Sequence, residues 1–325
     1  MGKYKLLNTG LGLSLLAVLA ISNPVFANDA PVLKIENFIG TVEIVTNNTG
    51  KIIVNDADGA NVIRSGSNLT IDDDISVRSY NCNYKKDRAM IGKGKWKWSS
   101  GGKNYRDIRE FPLVRISAPA NVHLEIDHSI LFGTVGHIGS GYLRIGSCGD
   151  MKFGDVNGRL DLSVSGSGDV VMGSAGVSDI SVSGSGDLTA KNLTSADIHV
   201  SGSGDLSLGN IKGAAEIGSS GAGGIEIGNI GGGLSIHSSG ASDLDIDSVT
   251  GGDLTIRVSG SSDITIKDGS VETLFIKASG ASDVTYAGSS VDAEARASGA
   301  SDIYINNPSG KLRTSDSGAA DVNIR

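Results

Sequence analysis

The 325-residue chain is short of proline, cysteine and large side chains: 5 Pro, 2 Cys and 5% aromatic residues. Two cysteines cannot form a disulfide scaffold. The few aromatics leave little bulk for the core of a conventional dense globule. Proline scarcity beside 47 Gly, without a Gly-X-Y period, excludes collagen and a disordered linker, so the glycines must serve turns. Cations are outnumbered, 28 Lys and Arg against 36 Asp and Glu, net −8, which argues against nucleic acid as a partner. No apolar run approaches the ~20 residues of a membrane span, so no transmembrane segment is expected after residue 27.

Residues 1–27 have the layout of a secretory leader: a basic start (MGKYK), a short apolar run (LGLSLLAVLAI), then SNPVFA with small residues Val25 and Ala27 ahead of a cut before Asn28. An exported protein is expected, in the periplasm, at the cell surface or outside the cell. No cysteine follows the cut, so no lipid anchor is expected. Cys82 and Cys148 both remain in an oxidising compartment, which leaves a single disulfide between them open.

From residue 143 one phrase recurs. SGSGD ends at Asp169, Asp187 and Asp205, SGAGG ends at Gly224, and variants of SGASD end at Asp243, Asp263, Asp283, Asp302 and Asp321; a degraded copy, GSCGD, ends at Asp150. The copies stand 18 to 20 residues apart, the period of a solenoid in which each repeat is one coil. Aligned on the Asp, the next residue is apolar in every copy, from Met151, Val170, Leu188, Leu206 and Ile225 to Val322. Three residues after it stand Phe153, Met172, Ala190, Leu208 and their successors, with mostly polar residues between. Seven residues before it come Leu143, Leu162, Ile180, Ile198, Ile217, Ile236, Ile256 and Ile276. Alternation of this kind predicts one short strand on each side of the turn. The phrase's first glycine is expected to take positive φ or to let backbones stack closely. The aspartates (Asp169, Asp187, Asp205, Asp243, Asp263, Asp283, Asp302 and Asp321) are expected to be structural, their carboxylates accepting backbone N–H groups of the turn.

Tandem SGSGD phrases after a leader resemble the autotransporter adhesin head GIN domain family of bacteria, over residues 32–325. The resemblance implies an all-β, right-handed parallel β-helix, a role in cell adhesion and no catalytic residues.

Residues 28–142 form the less regular part. Strand-like text (VEIV, KIIV, LVRIS, NVHLEI) is interrupted between 78 and 110 by a basic excursion carrying KKDR and KGKWKW. Irregular coils capping the solenoid's end are expected, with the regular repeats over 143–325. Lys95, Trp96, Lys97 and Trp98 alternate, so an extended strand puts both rings on one side; a sugar-stacking or anionic-surface patch and a hairpin packed on the solenoid flank are both consistent with that.

Stacking turns outward positions into columns. Asp161, Asp179, Asp197 and Glu216 form an acidic stripe, either a solvated face or a seat for a divalent cation such as calcium. Two positions on, Arg257, Lys277 and Arg296 stack, with His199 and His237 earlier in the same column. The two histidines are a coil too far apart to share a metal. His123 and His128 differ in strand parity and are expected to face opposite ways. No metal or catalytic site is assigned.

Three functions compete. A polysaccharide-active enzyme needs converging carboxylates beside a cleft, which regular columns do not build. A calcium-binding structural solenoid needs ligand sets on the acidic stripe. A non-catalytic adhesin or surface-interaction protein needs only a rigid rod displaying side chains at fixed spacing, toward a protein or glycan of the cell surface, matrix or envelope. The last is the expectation.

Overall fold

A computed structural model describes residues 30–85, 88–93 and 104–325. The leader-like segment and Lys95–Trp98 lie outside them. The described chain is almost wholly strand, its helical content two short 3₁₀ turns at Val77–Ser79 and Ile108–Glu110. Parallel coils stack into a β-solenoid of about 11 turns.

The expected columns exist as hydrogen-bonded ladders. Leu188 pairs with Leu206 and Leu206 with Ile225, and the series runs in both directions from Met151 to Val322. Leu143, Leu162, Ile180, Ile198, Ile217, Ile236, Ile256 and Ile276 likewise pair in order. One coil shows the plan: a five-residue strand Leu160–Val164, the SGSGD corner, a three-residue strand Val170–Met172, a second corner, then the run Ala175–Val182 into the next coil. In both short strands alternate residues are buried and the others face out.

The coil also has a third side, beyond the two strands expected. Ile138, Val156, Ala175, Leu193, Ile211 and Ile230 bridge one above another. From Val156 on they stand six residues after the reference position, and a single inward apolar residue per coil is a weak periodic signal. The three sides enclose one continuous apolar core from Leu33 to Ala320. Its largest fully buried side chain, Tyr286, keeps its hydroxyl satisfied by donating to the Ser289 carbonyl at 2.9 Å. Burial, with Asp268 nearby, pushes that phenol up to about 12.

Glycine in the phrase serves mainly close approach. A Cβ on Gly184 would lie 1.9 Å from the Gly166 carbonyl oxygen of the coil below. Gly280, by contrast, does take positive φ, at 92°.

The N-terminal third builds more of the stack than expected. Regular parallel pairing begins before residue 143: Val32–Glu36 lies against His123–Asp127, which in turn pairs with Ser140–Ile145. The chain then doubles back beneath its own first coil, placing Asn68–Asp72 under Val32–Glu36 and Leu113–Pro119 under Thr41–Asn47. Antiparallel strands Ile53–Asp56 and Val62–Ser65 close this end. Closing a sheet edge in this way removes the row of unpaired donors and acceptors that invites aggregation. At the other end the core columns turn polar, Thr314 above Ala295 and Asp316 above Ala297, on a strand exposed throughout.

The basic excursion is a three-stranded antiparallel sheet, Tyr80–Lys85, Arg88–Lys93 and Tyr105–Asp107. It sits on a second small core of Ile39, Val77, Ile91, Ile130 and Cys148. Cys82 and Cys148 form a disulfide that ties this sheet to the solenoid flank. Tyr84 adds to the tie, its hydroxyl donating to the Cys148 carbonyl at 3.0 Å and standing 3.3 Å from the Asp150 carboxylate. Burial, reinforced by that carboxylate, pushes the Tyr84 phenol well above its ordinary range.

Candidate interaction face

The five-residue strands present two outward columns, and the parallel register sets their contents. In the first, Tyr142, Asp161, Asp179, Asp197, Glu216, Ser235, Thr255, Phe275, Glu294 and Arg313 pair in succession. In the second, Arg144 is followed by Ser163, Ser181, His199, Gly218, His237, Arg257, Lys277 and Arg296. Adjacent coils are ~4.8 Å apart, so the four acids stand as immediate neighbours, each adjacent pair repelling by about 0.9 kcal/mol in water before salt screening.

Local partners offset part of this. Arg144 meets Asp161 at 2.6 Å, and this bond, with the carboxylate's charge, raises the already high guanidinium pKa further. His199 lies 3.2 Å from Asp197, and Arg296 pairs with Glu294. Among the described residues, Asp179 and Glu216 have no cation within ion-pair distance, and Arg257 and Lys277 have no carboxylate within it. Two aromatics join the face: Arg144 stacks over Tyr142 at 4.1 Å, and Arg257 and Arg296 lie 5.0 and 5.9 Å from the Phe275 ring centre. The sequence reading missed both rings, although extending the Asp161 column by one coil below and by three above Glu216 would have reached them.

The repeated aspartates act between coils, a correction to the expectation that they bond within their own turn. The Asp187 N–H donates to Asp169 Oδ1 at 3.0 Å, the Asp205 N–H to Asp187 Oδ1 at 2.9 Å and the Gly224 N–H to Asp205 Oδ1 at 2.8 Å. The ladder starts with the Asp169 N–H on Asp150 and resumes higher up with the Asp283, Asp302 and Asp321 N–H groups on Asp263, Asp283 and Asp302. Asp243 occupies the same corner, its carbonyl accepting the Ile225 N–H. A carboxylate reaching up by one rise finds the N–H of the next corner. The second corner holds a shorter ladder that sequence reasoning did not find: Asn210 N–H on Asn192 Oδ1 and Asn229 N–H on Asn210 Oδ1.

The histidines separate as the register requires, with Gly218 between His199 and His237. The expected opposition of His123 and His128 fails. The pairing shifts between Ile126 and Ser129, and His128 takes φ 44°, which turns it out to solvent beside Asp127 at 2.9 Å. Among the described residues, no group of three or more His, Cys, Asp or Glu is arranged to hold a metal, and no helix is long and apolar enough to cross a membrane.

Residues 211–325, roughly a third of the chain, match the sequence profile of the family described as "Putative auto-transporter adhesin, head GIN domain". No curated protein and no solved structure matches the chain.

Proposed function

We propose, from the adhesin-head likeness of residues 211–325, that this chain is a non-catalytic, exported solenoid that works by surface contact. The observation that carries the reading is the outward face itself: acids, cations and aromatics held in register on consecutive coils by a rigid parallel ladder. Such a face offers many weak contacts at fixed spacing, and binding through it gains by multivalency.

Fractionation of cells making the full chain, followed by protease shaving of intact cells, tests the location. Recovery in the envelope or medium is expected; purely cytoplasmic protein would sink the reading. Attachment of beads coated with purified protein to envelope material tests the contact. Attachment that weakens with salt is expected, whereas depolymerisation of a polysaccharide by the same preparation would put an enzyme in its place.

A further inference from the structure

The charge order along the face is its own complement. Over eight consecutive coils it reads Asp161, Asp179, Asp197, Glu216, then His237, Arg257, Lys277, Arg296. The eighth coil also carries Glu294, which pairs with Arg296 and leaves that coil balanced. Reversing the order about the midpoint between Glu216 and His237 sets the coils of Asp179, Asp197 and Glu216 against those of Lys277, Arg257 and His237. We propose that this face joins two copies of the chain, packed antiparallel about a two-fold axis crossing the solenoid at that midpoint.

A two-fold interface requires that if residue i meets residue j, then j meets i. Here Asp179 lies diagonally across from the second copy's Lys277, Asp197 from its Arg257 and Glu216 from its His237, and each pair occurs twice, while Asp161 and Arg296 keep the partners Arg144 and Glu294 of their own chain. A parallel arrangement brings the acid-bearing coils of the two copies together along half the face and the cation-bearing coils together along the other, so the pattern also selects against it. An acidic glycan or a basic peptide complements only one half of the face and is repelled by the other.

Space and reach agree with the charge. The acids are short and have small neighbours in the adjoining column: Ser163, Ser181 and Gly218 lie two residues from Asp161, Asp179 and Glu216. Beside His237 and Arg257 stand Ser235 and Thr255, while Lys277 has Phe275 and Arg296 has Glu294 beside it. Long cationic side chains therefore enter where their partners leave room. The two columns are about 7 Å apart along the strand, a gap that Arg and Lys stems span and that the usual ~30° crossing of packed sheets narrows. Eight rises by a five-residue strand give roughly 650 Å² a side, about 1,300 Å² in all, at the low end for a specific interface. Asp179, Glu216, Arg257 and Lys277, which have no ion-pair partner among the described residues, all fall inside the ends of this footprint.

The test is sedimentation and native mass spectrometry of the full chain with two double variants. One carries Asp179→Lys and Asp197→Lys, making the face cationic; the other carries Arg257→Asp and Lys277→Asp, making it acidic. All four sites are on the outward side of the strands, and circular dichroism checks that both variants fold. The expected result is a dimer at low salt that dissociates at ~0.5 M salt, at which screening shortens to a few ångströms. Each variant alone should dimerise at least ~10-fold more weakly, and an equal mixture of the two should recover a heterodimer. A wild-type monomer at low salt, a dimer that survives either reversal, or variants that fail to recombine would each overturn the proposal.

Discussion

The aspartates of the phrase show what a single side chain does in a stacked fold. Asp187 takes the Asp205 N–H at 2.9 Å, and its neighbours in the ladder carry the same charge one rise away. Replacing it by Asn keeps the acceptor and removes repulsion, so Asp187→Asn should melt no lower than the parent. Asp187→Ala loses the acceptor and should cost about 1 kcal/mol, measurable as a fall in the denaturation midpoint; equal effects from both substitutions would show that the bond is idle. His123 supplies a pH dependence. Burial holds its pKa below the ordinary 6.5, outweighing the opposite pull of Glu125, and Nδ1 lies 2.7 Å from Ser140 Oγ. A histidine with a lowered folded pKa contributes stability that is complete above the unfolded value and fades as pH falls below it. Melting temperatures should therefore drop on acidification below about pH 6.5, and His123→Gln should remove part of that slope.

The excursion behaves as an attached element, because among the described residues its sheet is tied to the solenoid by one small apolar cluster, the disulfide and Tyr84. The bridge closes a span of 66 residues, worth about 4 kcal/mol in the loop-entropy view. Reduction should raise hydrogen exchange in Tyr80–Lys85, Arg88–Lys93 and Tyr105–Asp107 while the coils above Asp150 keep their protection. Loss of protection throughout the rod would instead make the excursion an integral part of the core. The position of this sheet was only partly legible: its basic, interrupted text marks an excursion, but nothing local says that it docks against Ile130 and Cys148.

At the scale of the whole rod, each coil touches only its neighbours, so stability is close to a sum of coil and interface contributions. Leu206 is buried at the centre of the stack between Leu188 and Ile225. Leu206→Ala should cost 2 to 5 kcal/mol, roughly, and split thermal unfolding by weakening the joint between the two halves. A single unshifted transition would contradict the nearest-neighbour picture. The two ends also differ, one closed by antiparallel strands and the other lined by Thr314 and Asp316, so unfolding should start from the second.

Periodicity alone was enough to establish the coil length, the two strands flanking each turn, the residues facing the core and the order of charges along the outer columns. These follow from local alternation repeated at a constant interval, a signal that reinforces itself with every copy. Folding in three dimensions was needed for the rest: the doubling back of Asn68–Asp72 beneath Val32–Glu36, the outward turn of His128, the reach of Asp169, Asp187 and Asp205 to the coil above and the union of Cys82 with Cys148. Each of these depends on which distant segment lies within a few ångströms. Where the repeat stops, text at a single site carries no record of that neighbour.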